Sequence, residues 1–161
     1  MADPTKQSQP RYAPAEHQLV LEIYVSRLTS SMPFYKSLGF AVDWYVPGIF
    51  AQVSWEHCVL FLKQKDNMPK YAPTTEGHGA GNVRIMVHDV DLKYEECKQL
   101  GYVVEQELGD RKFIVRDFIV KDPDGFGVRF GSYLPVSGPE EQAEGPDAAG
   151  IVRKGTVAES T

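Results

Sequence analysis

Leu21-Glu22-Ile23-Tyr24-Val25-Ser26-Arg27-Leu28, followed by a run that closes on Leu38-Gly39-Phe40, returns 62 positions later as Val83-Arg84-Ile85-Met86-Val87-His88-Asp89-Val90, with a run closing on Leu100-Gly101-Tyr102. Alternation of apolar and polar residues reads as a half-buried strand, and the run after each copy reads as a short helix. Two copies are too few for a solenoid. They predict a duplicated fold that encloses one site between related halves.

Outward from the first copy, the chain reads as a strand over Leu19–Val25, a helix over Ser30–Leu38, and three strands over Ala41–Tyr45, Phe50–Trp55 and Cys58–Lys63. The second copy predicts a strand over Asn82–Val87, a helix over Asp91–Leu100, and strands over Tyr102–Gln106, Lys112–Val120 and Val128–Tyr133. The order is βαβββ twice, an α+β fold. Thr29, Ser30 and Ser31 are candidate caps for the first helix, Pro33 sits where its missing N–H is expected to cost little, and Gly39 supplies the exit. Asp122-Pro123-Asp124-Gly125 reads as a hairpin turn, with Pro setting φ and Gly free to take positive φ.

These elements define one domain over residues 17–134, with modules 17–65 and 82–134 joined by a Gly- and Pro-rich linker over 66–81. Residues 1–16 and 135–161 lack apolar periodicity and read as disordered tails. The chain has 161 residues, of which 42% are apolar, enough for one core. No run approaches the roughly 20 apolar residues needed to span a bilayer, and the polar first residues do not resemble a signal peptide. A soluble, cytoplasmic protein is expected. The net charge of −5, with Lys and Arg scattered, leaves no basic stripe for nucleic acid. Cys58 and Cys97 have neither CxxC spacing nor a neighbouring histidine pattern, and read as inert thiols.

The two-copy order, with Ser31-Met32-Pro33-Phe34-Tyr35 leading to Leu38-Gly39-Phe40 and Asp122-Pro123-Asp124-Gly125 before the last strand, resembles the vicinal oxygen chelate superfamily of glyoxalases, extradiol dioxygenases and bleomycin resistance proteins. The resemblance implies half-barrels whose concave faces look onto a cavity. Its metal enzymes place ligands at positions that fall here on Val20, about Phe61, Asn82 and Arg129. None is a normal ligand for a divalent ion: Val and Phe offer no lone pair, Asn is a poor single donor, and Arg carries a fixed positive charge. No metal and no cofactor are therefore expected. The run Phe50-Ala51-Gln52-Val53-Ser54-Trp55-Glu56-His57-Cys58-Val59-Leu60-Phe61-Leu62, and Arg116-Asp117-Phe118 before Asp122-Pro123, is similar to the metal-free bleomycin resistance branch. That branch sequesters a drug in a groove at a dimer interface.

If Val20 and Asn82 face the cavity, period 2 adds Glu22, Tyr24, Arg84 and Met86. The candidate ligand-binding residues are Tyr24, Trp44, Gln52, Phe61, Asn82, Arg84 and Arg129, and Glu22 is the candidate catalytic group. One arginine is expected to pair with Glu22, leaving the other for an anionic or carbonyl-bearing ligand. The alternative is an internal ion-pair network filling the space of a metal. His17, His57, His78 and His88 share no ligand spacing and read as surface residues. A site built from Glu22, Glu56 and His88 would need a geometry foreign to the family.

Three readings of function follow. The first is a metal-independent protein, similar to bleomycin resistance proteins, that binds a small organic molecule, commonly as a homodimer. The second is a metal-free lyase, isomerase or cyclase with Glu22 as base and Arg84 or Arg129 stabilising an oxyanion next to a carbonyl; a glyoxalase-type metalloenzyme with non-standard ligands stands beside it. The third is an interaction module with a collapsed cavity.

Overall fold

A computed structural model describes residues 19–72, 81–111 and 114–135; the expected tails, apart from Pro135, together with His17 and His78, lie outside them. The elements are β1 (Leu21–Val25), α1 (Leu28–Ser37), β2 (Ala41–Val46), β3 (Phe50–Trp55), β4 (Cys58–Gln64), β5 (Asn82–Met86), α2 (Val90–Gln99), β6 (Val104–Arg111), β7 (Val115–Lys121) and β8 (Gly127–Tyr133). They form two four-stranded sheets, β1-β4-β3-β2 and β5-β8-β7-β6, with the same order in each module. β1 pairs with β4, and β5 with β8, in parallel, and the remaining pairs are antiparallel.

Each sheet buries one face against its own helix. Ile23, Val25, Ala51, Val53, Leu60 and Leu62 meet Leu28, Phe34, Tyr35 and Leu38 of the first module, while Ile85, Phe118, Val120, Val128 and Phe130 meet Val90 and Cys97 of the second. Together they make one core. Each Val, Leu, Ile or Phe side chain among them contributes about 1.5–3 kcal/mol when fully removed from water. The modules also meet at ring contacts, Phe34–Tyr102 at 4.8 Å and Trp55–Phe130 at 6.2 Å.

The Asp122–Gly125 turn is a clasp between modules as well as a hairpin connection. Asp122 Oδ1 accepts from the N–H groups of Asp124 and Phe126, and its Oδ2 accepts from the Tyr35 hydroxyl of α1. Asp124 Oδ2 accepts from the Ser26 N–H at 2.7 Å, and the Asp124 carbonyl accepts from the Tyr71 N–H. Both carboxylates are buried. This satisfaction of buried polar groups explains why two acids stand in a turn that composition alone marks as surface.

The helix boundaries differ from expectation. α1 begins at Leu28 rather than Ser30; its N-cap is Arg27, whose side chain makes no cap, and the Leu28 N–H donates to Gln64 Oε1 at 3.0 Å. Ser31 is buried and donates its hydroxyl to the Arg27 carbonyl. Pro33 therefore lies inside the helix, where it withdraws a backbone donor. α2 begins at Val90, with the Asp89 side chain accepting the Leu92 N–H. β6 extends to Arg111 and β7 is Val115–Lys121, while Lys112 and Phe113 of the expected strand lie outside the described residues.

Candidate functional site

Residues in register on neighbouring strands present side chains on the same face. On the face of sheet one turned away from α1, register aligns Glu22, Phe61, Gln52 and Trp44 across β1, β4, β3 and β2. On the corresponding face of sheet two, it aligns Arg84, Arg129, Ile119 and Gln106 across β5, β8, β7 and β6. These open faces hold six of the eight predicted site residues in two equivalent rows. Tyr24 stands in the next row of sheet one beside Lys63, and Asn82 in the next row of sheet two beside Gly127.

The two rows are chemically unlike. In sheet one, Trp44 stacks on Phe50 at 4.9 Å, and Phe50 meets Phe61 edge-on at 5.0 Å. A β-bulge between Val42 and Trp44 turns Asp43 to the open face, where its carboxylate accepts from Gln52 Nε2 and Ser54 Oγ. The expected pairing of Glu22 with an arginine does not form. Glu22 lies 3.8 Å from Lys63, its neighbour on β4, with both side chains well exposed. Such a pair contributes little.

In sheet two, both predicted arginines converge on a residue the sequence reading left out of the site, Asp117 on β7. Arg129 Nη1 lies 2.8 Å and Arg84 Nη2 3.0 Å from Asp117 Oδ2, while Arg111 Nε, also missed, donates to Oδ1 at 2.9 Å. Arg129 Nη2 further donates to Gln106 Oε1. The Asp117 side chain is fully buried, whereas Arg84 retains 43% exposure. Burial pushes the Asp117 carboxyl up, but hydrogen bonds from Arg111 and Arg129, with the charges of Arg129 and Arg84, outweigh it and hold the group below the ordinary carboxylate range. Three guanidiniums thus share one carboxylate. Gly131 and Gly109 flank Asp117 in register and leave room for them: a Cβ on Gly131 would come within 3.3 Å of Asp117 Cβ, and one on Gly109 within 3.2 Å of Arg111 Nη1. A signal was present in Val115-Arg116-Asp117-Phe118-Ile119-Val120: an acid alternating with apolar residues in a central strand demands a buried cation.

Arg84 also reaches a cavity of about 580 Å³ between the β3–β4 hairpin and the end of β5, within the size range of small-molecule sites. Trp55, His57 and Cys58 line one side, and Met86, His88 and Tyr133 the other. Burial, then the nearby Glu56 charge, pushes the Cys58 thiol up, which opposes a thiolate nucleophile. Glu56 and His88 share this cavity but Glu22 does not, so the three-residue site considered from sequence is not assembled.

The positions that the resemblance assigns to metal ligands, Val20, Phe61, Asn82 and Arg129, do not fit a divalent cation. Phe61 packs edge-on against Phe50, Arg129 is committed to Asp117, and Val20 and Asn82 add no competent donor set. Among the described residues, no group of three His, Cys, Asp or Glu side chains could hold a metal ion, and no helix is long and apolar enough to cross a membrane.

Comparison with known proteins agrees with this architecture. No curated protein matches the sequence. A solved glyoxalase/bleomycin resistance protein/dioxygenase from Alicyclobacillus acidocaldarius superposes with a TM-score of 0.61 at 20% identity, covering 73% of this chain and 91% of that one. TioX from a Micromonospora species gives 0.58 at 20% identity (72% and 98% covered), and lactoylglutathione lyase from Agrobacterium tumefaciens gives 0.57 at 20% (71% and 91%). At these identities the likeness is one of fold. A family model described as the glyoxalase/bleomycin resistance protein/dioxygenase superfamily matches residues 17–130, and the chain belongs to that superfamily.

Proposed function

We propose that the protein is a metal-independent binder of a small organic molecule carrying an anionic or carbonyl oxygen, akin to the bleomycin resistance branch of its superfamily. The observation that carries the reading is the cluster of Arg84, Arg111 and Arg129 around one buried carboxylate, with Arg84 extending into a cavity of about 580 Å³. Asp117 orients the guanidiniums but neutralises only one of three charges. The surplus suits a ligand oxygen, because a charge-assisted hydrogen bond to a pre-oriented guanidinium is strong and directional. The aromatic row on the open face of sheet one offers a second, flat apolar surface. Superfamily members commonly bind small molecules as dimers, and the open sheet edges favour a homodimer here.

A general-base role for Glu22 has less support, since its carboxylate stands half-exposed beside Lys63 and outside the arginine cluster. The test is a thermal-shift and calorimetric panel of aromatic carboxylates, dicarbonyl compounds and glycopeptides, run with and without a chelator on wild type and Arg84→Gln. We expect one anionic or carbonyl class to bind without chelator sensitivity, and the variant to lose about tenfold or more in affinity, the size of a hydrogen bond to a charged group. Stabilisation by a divalent ion, or no response to any such compound, would overturn the reading.

A further inference from the structure

Gln52 is central in sheet one, with Trp44 and Phe61 in register on either side. Its amide nitrogen donates to Asp43 Oδ2 at 2.9 Å, and the other oxygen of Asp43 accepts from Ser54 Oγ at 2.7 Å. A carboxylate only accepts, so the NH₂ group must face Asp43 and the amide cannot be turned over. Gln52 Oε1 is thereby held away from Asp43. It is sealed from solvent and is the one buried side-chain polar atom among the described residues without a hydrogen-bond partner, in a residue only 7% exposed.

An unmade hydrogen bond at a buried acceptor is costly, and a leucine or methionine of similar volume would avoid it. The bond to Asp43 gives a reason for the amide nitrogen, but packing gives no reason for the unpaired oxygen. Its surroundings suggest one: the rings of Trp44, Phe50 and Phe61 stand on the same face and are themselves only half-buried. A bulge is needed to bring Asp43 round to fix the amide, so the orientation of Oε1 is built by the backbone as well as by the side chains.

We infer that Gln52 Oε1 receives an N–H or O–H donor carried on a flat aromatic group of the ligand, entering among Trp44, Phe50 and Phe61. The inference rests on the proposed function and on the open faces of the two sheets, in one chain or across a dimer, contributing to one site; the ligand then has two ends, an anionic or carbonyl oxygen for the arginines and an aromatic donor for Gln52. A site that hydrogen-bonds a donor in this way discriminates strongly against the analogue that lacks it, because the acceptor is then left unpaired.

The experiment measures affinities of 4-hydroxybenzoate, 4-hydroxyphenylacetate and 4-hydroxycinnamate, each against its methyl ether, on wild type, Gln52→Leu, Gln52→Met and Arg84→Gln. At one spacing, the phenol should bind at least tenfold tighter than the ether. The ratio should fall to near one in both Gln52 variants, whereas Arg84→Gln weakens both partners alike. Phenol and ether binding equally to wild type would overturn the role of Gln52 while leaving the arginine site standing, and this comparison needs no variant to fold. Failure of every carboxylate to bind would instead overturn the reading of the open face, and the role of Gln52 with it.

Discussion

The two modules share element order, helix length and strand order, yet their open faces have opposite characters. Where sheet one carries Glu22, Phe61, Gln52 and Trp44, sheet two carries Arg84, Arg129, Ile119 and Gln106. On the helix-facing sides the copies are alike: Ile23 and Val25 beside Leu60 and Leu62 in one, Ile85 beside Val128 and Phe130 in the other. The difference shows which face the duplicated fold constrains. The core side must remain apolar for either module to fold, but the open side is free to divide its work, with one half offering a flat aromatic surface and the other fixed charge.

Removing the charge that organises sheet two should break this contrast most severely. Asp117→Asn keeps the volume but leaves three guanidiniums with no anion, and losing one partner of a buried ion network costs about 3–5 kcal/mol. The lower end is expected, because Arg84 and Arg111 are partly exposed and can turn to water. Urea unfolding at pH 7 measures it. Since the native Asp117 carboxyl is held below its ordinary value, its stabilisation is present above that value and disappears as pH falls through the depressed native one. Wild type and variant should therefore converge in acid. A gap that persists in strong acid would show that Asp117 acts by packing and not by charge.

The clasp between the modules has the opposite pH sign. Burial pushes the Asp122 carboxyl up to about 6, despite the N–H groups of Phe126 and Asp124 and the Tyr35 hydroxyl that favour its charged form. A native value of about 6 means that the native state holds the proton more tightly than the unfolded chain, a difference on the order of 3 kcal/mol. Its contribution is full below the ordinary carboxylate value and is lost as pH rises through 6. Asp122→Asn removes this titration while leaving an amide oxygen to accept from the turn. Subtracting the two stability curves between pH 4 and pH 7 should show wild type falling relative to the variant as pH rises. A flat difference would mean that the turn's hydrogen bonds fully compensate the buried charge.

How much of this was legible in the sequence depended on the range of the interaction. The repeat from Leu21 and Val83 and the Leu-Gly-aromatic exits report local periodicity, so the order of strands and helices and the alignment of Glu22 with Arg84 could be read directly. Strand parity then set Tyr24 beside Glu22 and Met86 beside Arg84, whereas Phe61 and Arg129 were reached only through the family resemblance. Charge pairing was less accessible. Asp117 meets Arg84 33 positions before it, and nothing local ties Arg111 to either; Glu22 found Lys63 because β1 and β4 pair in register. The start of α1 was misplaced for the same reason: the local candidates Thr29, Ser30 and Ser31 do not cap it, whereas Gln64, 36 positions away, receives the Leu28 N–H. Asp43 reached Gln52 through a bulge, which shifts parity by one and has no unique sequence signal.

The two Leu-Gly-aromatic exits sharpen the comparison, because one motif serves two environments. Gly39 and Gly101 both have positive φ, at 116° and 73°. At 73° a side chain is near the left-handed region, and a Cβ on Gly101 would meet nothing within 4 Å, so Gly101→Ala should cost about 1 kcal/mol. Gly39 is farther from any conformation an L-residue favours, and a Cβ there would come within 3.2 Å of the Trp55 ring. That ring cannot yield freely, being edge-on to Phe40 at 5.7 Å and close to Phe130 of the other module. Gly39→Ala should therefore cost about 2–3 kcal/mol. Because Trp55 also walls the cavity that Arg84 enters, the same variant should weaken ligand binding while Gly101→Ala leaves it unchanged. Equal stability losses would mean that Trp55 moves aside without disturbing the core; equal binding would separate the cavity from the arginine site and confine the ligand to the open faces.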